Sequence, residues 1–187
     1  MAETRWPGHA RTGRPRFPRT KIATTSSNMD HLDAARTMAA DCLCFRARRT
    51  ARAITRAYDA ALRPTGLQAT QVTLMNVVAL GPGGARPMGQ LAEIMALEIS
   101  TLTRNLRPLE SAGLIAIGRS DTDRRVRVVR LTEAGQTRLA AALPHWNRAH
   151  AEIVATLGDE TATTLRTALD HANGAMKGKG RGQAATE

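Results

Sequence analysis

The sequence predicts a mainly α-helical protein that carries one small β-hairpin. Apolar residues make up 42% of the 187 residues and aromatic residues only 3%. A core of Leu, Ala, Val and Ile suits helices better than packed sheets. Apolar residues recur at spacings of three and four through most of the chain. Residues 114–131 change to the alternation that is typical of strands.

Four helices are predicted before the strands. The first runs from about Asp41 to Leu62, and a proline and a glycine follow it as helix-ending residues. The second runs from about Gln68 to Leu80, where the sequence Gly-Pro-Gly-Gly stops it. A short helix around Leu91 and a helix from Ile99 to Gly113 come next. About three residues separate these two, which is helix-turn-helix spacing.

A hairpin and two long helices complete the chain. Residues 114–119 and 125–131 form two strands around the polar turn Ser-Asp-Thr-Asp. Thr132 is a candidate N-cap of the next helix, and Pro144 inside that helix should kink it. Helix, tight turn, helix and hairpin in this order predict a winged helix-turn-helix lobe.

The helix from Ile99 to Gly113 is the predicted recognition helix, the one that enters a DNA groove. The apolar positions that should face inward are Ile99, Leu102, Leu106 and Leu109. The opposite face carries small hydroxyls and then guanidinium groups, which can hydrogen bond to base edges in a major groove. An ordinary solvated face is the alternative. The predicted DNA-contacting residues of this face are Ser100, Thr101, Thr103, Arg104 and Arg107.

Arginines also cluster around the hairpin turn, at Arg119, Arg124, Arg125 and Arg127. A minor groove attracts arginine, and a two-stranded hairpin is narrow enough to deliver one. Asp123 lies two residues from Arg125 on the same side of a strand, so we expect it to brace the Arg125 guanidinium group. The alternative is a surface salt bridge worth less than about 1 kcal/mol.

The net charge of +11 favours a polyanionic partner. Much of this charge lies in the two ends of the chain, whose composition predicts disorder. The predicted organisation is a disordered basic extension over 1–40, a folded domain over 41–175 and a disordered basic tail over 176–187. Within the domain, 68–131 form the DNA-binding lobe, and about 41–64 and 132–175 form dimerisation helices.

Together these pieces resemble the MarR family of bacterial regulators over about residues 42–175. The matching motifs are Gly66-Leu67, Leu91-Ala92-Glu93, Leu102-Thr103-Arg104, Asp123-Arg124-Arg125 and Leu131-Thr132-Glu133. The resemblance implies an obligate homodimer, a palindromic operator on double-stranded DNA, and repression that a small ligand or an oxidant relieves. It also implies that Arg124 or Arg125 enters the minor groove. Pro108 inside the recognition helix departs from the family pattern.

A dimer is also expected from the residues themselves. One recognition helix covers few base pairs, whereas two related by a dyad read half-sites about 34–36 Å apart. Without a partner, the last helix would expose Leu165, Leu169 and Ala172.

The sequence Leu43-Cys44-Phe45 resembles the organic hydroperoxide-sensing branch of the family. The resemblance implies that Cys44 is a redox sensor supported by Tyr58, although Arg48 stands where a second tyrosine is expected. A helix N-terminus and nearby arginines would favour the thiolate, whose oxidation to a sulfenic acid could reshape the dimer. The alternative is a small buried side chain, the commonest role of an unpaired cysteine.

A small-molecule effector is the second regulatory hypothesis. It would bind in a pocket between the dimer helices and the DNA-binding lobe, where Arg46, Arg49 and Arg52 could attract an aromatic carboxylate. A solvated basic face is the alternative interpretation of these arginines.

Other classes of protein have less support. The sequence contains no Gly-rich phosphate loop, nucleophile elbow or paired-His metal signature, so we predict neither an enzyme nor a bound cofactor or metal. No apolar stretch approaches the roughly 20 residues that cross a bilayer, and the expected location is the cytoplasm. The alternative function is nonspecific or architectural nucleic-acid binding, which the basic ends would suit.

Overall fold

The computed structural model describes the backbone of residues 27–183 and the side chains of residues 31–176. The chain divides into two compact units, residues 1–45 and residues 46–187. Of the ends that the sequence predicts to be disordered, residues 1–26 and 184–187 lie outside the described residues.

The first unit contains helix α1, Ser27–Asp41. The predicted disorder up to residue 40 was therefore wrong from Ser27 onwards. Much of this stretch consists of Leu, Met, Arg and Ala, which are strong helix formers, and it contains neither Gly nor Pro. Arg36 also donates a hydrogen bond to the Asp33 carboxylate at 2.9 Å, one turn back. The composition of residues 1–40 as a whole is dominated by the residues before Ser27, so it did not reveal this helix.

Helix α2, Leu43–Leu62, begins in the first unit and continues in the second. The helices after it are α3 (Ala69–Ala79), α4 (Met88–Met95), α5 (Ile99–Ser111), α6 (Glu133–Leu157) and α7 (Asp159–Gln183). The strands are β1 (Ala85–Pro87), β2 (Ile115–Arg119) and β3 (Arg127–Leu131). This architecture confirms the predicted fold class, mainly α with a small β wing.

The turn between α4 and α5 confirms the predicted helix-turn-helix. Ala96 follows α4 in the left-handed conformation, with φ of 50°. The N–H of Leu97 then donates to the carbonyl of Ala92 at 2.9 Å. A left-handed residue at a helix end reverses the chain direction and satisfies a terminal carbonyl. The chain can therefore begin a new helix, α5, at Ile99.

The sheet contains a strand that the sequence did not predict. Its order is β1–β3–β2, and both pairings are antiparallel. Strand β1 covers Ala85–Pro87 and places Arg86 opposite Val129 of β3. Three residues are too few to show an alternating pattern, so periodicity cannot reveal such a strand. Arg86 also donates its Nε–H to the carbonyl of Val77 in α3 at 2.8 Å, which ties the strand to that helix.

The core of the second unit lies among α3, α4, α5 and the sheet. Its largest fully buried side chains are Leu62, Leu74, Met75, Val78, Leu91, Leu102, Leu106, Leu109 and Val129. Ile99 was predicted to face inward, but it is 49% exposed. Ile99 is the first residue of α5 and precedes the turn that packs, so the inward face begins at Leu102.

Thr132 is the N-cap of α6, as predicted. Its Oγ1 accepts the N–H of Gly135 at 3.0 Å and donates to the carbonyl of Gly113 at 2.7 Å. Its own N–H donates to the carbonyl of Leu114 at 3.1 Å. These bonds fix the beginning of α6 to the chain that leaves α5. Beyond the cap, α6 continues past Pro144 to Leu157.

The last helix is longer than predicted. Helix α7 continues to Gln183, whereas the disordered tail was expected from residue 176. Each glycine in this stretch costs about 1 kcal/mol relative to alanine in a helix. The glycines alternate with Lys and Arg, and no proline interrupts them. Scattered glycines therefore weaken the helix here without ending it.

Replacing Thr132 with alanine should lower the free energy of unfolding by about 1–2 kcal/mol, because the N-cap bond is lost. The carbonyl of Gly113 loses its donor in the same variant. Thr132→Ser keeps the hydroxyl and should stay within about 0.5 kcal/mol of the wild type. Urea denaturation followed by circular dichroism measures both values. Equal destabilisation by Ser and Ala would contradict the capping role of the hydroxyl.

Candidate nucleic-acid interface

One face of α5 is held by the core and the other reaches the surface. Three leucines of the helix are buried, and they fix its rotation about its own axis. Of the five predicted contact residues, the exposed ones are Ser100, Arg104 and Arg107, and the half-buried ones are Thr101 and Thr103. The structure therefore brings the predicted set together on one accessible helix face.

Hydrogen bonding on this face limits what its groups can offer. Thr103 donates its hydroxyl proton to the carbonyl of Ile99 at 2.7 Å, so its oxygen remains available as an acceptor. Arg104 is exposed, and its guanidinium group has five N–H donors. Glu98 occupies the N-cap position of α5 without making a side-chain cap bond. The first N–H groups of α5 thus have no side-chain partner from the cap.

The wing is the hairpin of β2 and β3, closed by the loop 120–126. The strands remain paired as far as Arg119, which lies opposite Arg127. At the neck of the loop, the N–H of Ser120 donates to the carbonyl of Val126 at 2.9 Å. The loop therefore begins and ends on a closed hydrogen-bonded neck.

Asp123 supports this loop in a different way from the one predicted. Its carboxylate accepts the backbone N–H of Arg125 at 2.9 Å and does not brace the guanidinium group. An aspartate that accepts the N–H two residues ahead forms a common turn, and this local bond competes with a contact to the side chain. Arg124 and Arg125 are both exposed. The wing thus presents two guanidinium groups on a loop whose backbone is bonded internally.

The two cysteines lie at the start of α2, within the first unit. Cys44 is exposed, so the alternative of a small buried side chain was wrong for it. Cys42 is half-buried, and its Sγ accepts the N–H of Phe45 at 3.3 Å. Cys42 therefore caps the beginning of α2, a role that the sequence analysis assigned to neither cysteine.

Three stacked rings join α2 to α6 in the second unit. The hydroxyl of Tyr58 hydrogen bonds to Nδ1 of His150 at 3.0 Å. Trp146 stacks on both rings, with centroids 5.9 Å from Tyr58 and 4.8 Å from His150. Burial raises the pKa of Tyr58 from its ordinary value, which favours the protonated phenol that can donate to His150.

Tyr58 was a predicted functional residue, whereas its two ring partners were not predicted. Trp146 and His150 are four residues apart and therefore share one face of α6, which was the available signal. The predicted support of Cys44 by Tyr58 stays a prediction.

A cavity of about 670 Å³ opens between α3, α6 and β3. Its polar lining consists of Thr73, Asn76 and Gln136, and its apolar lining includes Val72, Leu139, Leu143 and Trp146. Among the described residues, no ionisable side chain lines it. The arginines that were expected to attract a carboxylate, Arg46, Arg49 and Arg52, are not part of its wall.

Within residues 31–176, no three or more His, Cys, Asp or Glu side chains are grouped so that they could hold a metal ion. Across the helices of the same part of the chain, none combines the length and the apolar character of a membrane span.

A surface helix that follows a tight turn and precedes a hairpin defines a winged helix-turn-helix protein. Consistent with that class, a model described as MarR family matches residues 65–126. The matched segment begins three residues after α2 and ends in the wing loop.

Solved structures of transcriptional regulators share this fold. The M. tuberculosis regulator MosR, in complex with DNA, is 33% identical with a TM-score of 0.65, and the match covers 74% of this chain and 98% of that one. A mutant of MarR from E. coli, complexed with operator DNA, is 19% identical with a TM-score of 0.64, over 72% of this chain and 96% of that one. AbsC from Streptomyces coelicolor, a MarR family regulator, is 23% identical with a TM-score of 0.63, over 73% and 93%. The chain belongs to the MarR family of transcriptional regulators.

Proposed function

We propose that this protein regulates transcription as a homodimer that binds a specific double-stranded DNA operator. The observation that carries the proposal is the accessible face of α5, whose hydroxyl and guanidinium groups stand on a helix fixed by buried leucines. The DNA complex of MosR supports it, since that regulator is similar along nearly its whole length. A regulator of transcription works where the chromosome is, so we expect the protein in the cytoplasm.

The side chains of α5 suggest how bases would be read. Arg104 and Arg107 can each donate two parallel hydrogen bonds to O6 and N7 of guanine in the major groove. Thr103 already donates its proton within the helix, so it would accept from an amino group or pack its methyl on thymine. Ser100 and Thr101 lie nearest the helix N-terminus, where short side chains approach base edges or phosphates.

The wing would contact the neighbouring minor groove through Arg124 and Arg125. Both side chains are exposed, and the Asp123 bond fixes the backbone that carries them. A narrow minor groove has an enhanced negative potential, which favours an inserted guanidinium group. The wing therefore adds affinity and sensitivity to groove width, whereas α5 supplies base discrimination.

A second copy of the chain is the proposed partner of α2, α6 and α7. These helices border an apolar groove of about 430 Å³, which includes Ile54, Leu165 and Leu169 in its wall. Leu169 and Leu157 of this wall are 52% and 38% exposed. Apolar surface of this extent favours burial by a partner. A dyad would also place two α5 helices on successive major grooves.

Two kinds of substitution should separate base reading from backbone attraction. Arg104→Ala should reduce the preference for operator over random DNA by roughly 5- to 150-fold, the equivalent of about 1–3 kcal/mol. Arg124→Ala with Arg125→Ala should weaken binding and lower the slope of log affinity against log salt by about one per lost phosphate contact.

The operator would first be selected from random-sequence DNA with the full-length protein, and affinities would be measured by fluorescence anisotropy. Arg148→Ala, which removes an exposed charge from α6, is the control and should change neither quantity. Equal affinity for the selected and the random DNA would instead favour the nonspecific, architectural function.

We further propose that a neutral, largely apolar effector binds the cavity between α3 and α6. The wall offers two amides and a hydroxyl but no positive charge, so a carboxylate would lose its hydration without gaining an oppositely charged partner. Because α6 and the DNA-binding elements share this wall, an occupant could shift α5 and relieve repression.

Neutral 2-naphthol should therefore quench Trp146 fluorescence in a Trp6→Phe background. Ala140→Leu narrows the cavity and should weaken this binding roughly tenfold. Ala141→Leu, one residue on and outside the wall, is the matched control. Tighter binding of the charged analogue 2-naphthoate would contradict the neutral-ligand assignment.

The redox role of Cys44 is a second regulatory proposal, supported by the exposure of its thiol. The thiolate would attack an organic hydroperoxide, the O–O bond would break, an alcohol would leave, and Cys44 would become a sulfenic acid. Cumene hydroperoxide should then release the wild type and Cys42→Ser from operator DNA but leave Cys44→Ser bound. Release of all three proteins would eliminate Cys44 as the sensor.

A further inference from the structure

The wing loop is held by a side chain from its own strand. Arg119 is the last residue of β2, and its Nη1 donates to the carbonyl of Arg124 at 3.0 Å. Arg127 lies opposite Arg119 at the same level of the hairpin and is also exposed. Within the described residues, Arg127 makes no side-chain hydrogen bond to the loop. Both arginines therefore carry a positive charge at the same level of the hairpin, and of the two it is Arg119 that is bonded to the loop.

The bond from Arg119 meets a second bond on the same peptide unit. The carbonyl of Arg124 and the N–H of Arg125 belong to one planar amide. Arg119 binds its oxygen at 3.0 Å, and the carboxylate of Asp123 binds its N–H at 2.9 Å. Hydrogen bonds with one ionised partner are stronger than neutral ones. This peptide plane is thus held from both edges by charged groups.

Further hydrogen bonds lie on both sides of the tip. The Oγ of Ser120 accepts the N–H groups of Thr122 at 3.3 Å and Asp123 at 3.4 Å. These contacts order the first half of the loop and stop before the wing arginines. In the second half, the N–H of Val126 donates to the carbonyl of Asp123 at 2.9 Å and closes a turn around Arg124 and Arg125. The bonds from Arg119 and Asp123 hold the peptide plane at the centre of this turn.

We propose that Arg119 is a positioning residue for DNA binding by the wing. Together with Asp123 it clamps the peptide plane between Arg124 and Arg125, and that plane sets the directions in which the two side chains leave the backbone. Because the clamp orders the loop before DNA binds, both guanidinium groups can enter a minor groove without a further entropy cost for ordering the loop. This inference rests on the proposed role of the wing in DNA binding.

The first test needs no DNA. Backbone ¹⁵N relaxation should show that Arg119→Ala lowers the order parameters of the Arg124 and Arg125 amides, which flank the clamped carbonyl, towards flexible values below roughly 0.6. Arg127→Ala removes the neighbouring charge and should leave them unchanged. Unchanged order parameters in Arg119→Ala would overturn the clamp. Melting temperatures of both variants check that the fold is intact.

The second test is a double-mutant cycle on the selected operator. Arg119→Ala should weaken binding roughly five- to tenfold in the wild type, and less than twofold where Arg124 and Arg125 are already alanine. Arg127→Ala should change the affinity by the same factor in both backgrounds. If Arg119→Ala also has equal effects in both and lowers the salt slope by about one, Arg119 is a phosphate contact and the inference is wrong.

The two experiments test separately whether Arg119 holds the loop and whether the wing binds DNA. If Arg124→Ala with Arg125→Ala leaves operator affinity unchanged, the wing does not bind DNA, and the positioning role falls with it. The relaxation measurement still decides in that case whether Arg119 holds the loop. If those substitutions weaken binding and Arg119→Ala does not, the proposed function stands and the positioning role alone is refuted.

Discussion

A polar junction around Thr132 fixes the recognition helix, the wing and α6 to one another. Thr132 bonds to the carbonyls of Gly113 and Leu114 and caps α6 through the N–H of Gly135. Gly135 is required at this place, because a Cβ there would lie 2.0 Å from the carbonyl oxygen of Leu114. Backbone groups form most of the junction, and they cannot repack as side chains do. A displacement of α6 is therefore transmitted to the chain between α5 and β2.

The rigidity of this junction explains how an occupant of the proposed effector site would act on the DNA-binding elements. One wall of the cavity comes from α6 and the other from α3, which packs in the same core as α5. The aromatic cluster of Tyr58, Trp146 and His150 holds α2 against the same part of α6, and Trp146 belongs to both the cluster and the cavity. An occupant that moved Trp146 would therefore act on helix packing and on the DNA-reading elements together.

The sequence predicted the elements whose signals extend over several turns or strand residues. The leucines of α5 repeat over three turns, so their face and the opposite, accessible face follow from spacing alone. Thr132 could be predicted as an N-cap because a hydroxyl before an acidic residue and an apolar run is a strong signal for the start of a helix. Strand β1 was missed because its three residues depend on pairing with β3, a contact distant in sequence.

The remaining errors have local causes. Ile99 fits the apolar period but precedes the first packed turn, and periodicity does not show where a buried face begins. Asp123 was assigned to a side chain by its position on a strand, whereas it lies in the loop, where the nearest donor is a backbone N–H. The bond from Arg119 to Arg124 depends on how the loop folds back, and no spacing rule encodes that path.

Because the cavity wall is uncharged, binding of a neutral molecule there should respond to salt and pH differently from binding to DNA. Attraction to phosphates weakens steeply as ionic strength rises, because bound counterions are released when arginines replace them. Transfer of a neutral molecule into an apolar cleft involves no such exchange and depends little on salt or pH. The ionic strength in the cell would therefore set how firmly this regulator holds its operator, while the concentration of the proposed effector would act as an independent control.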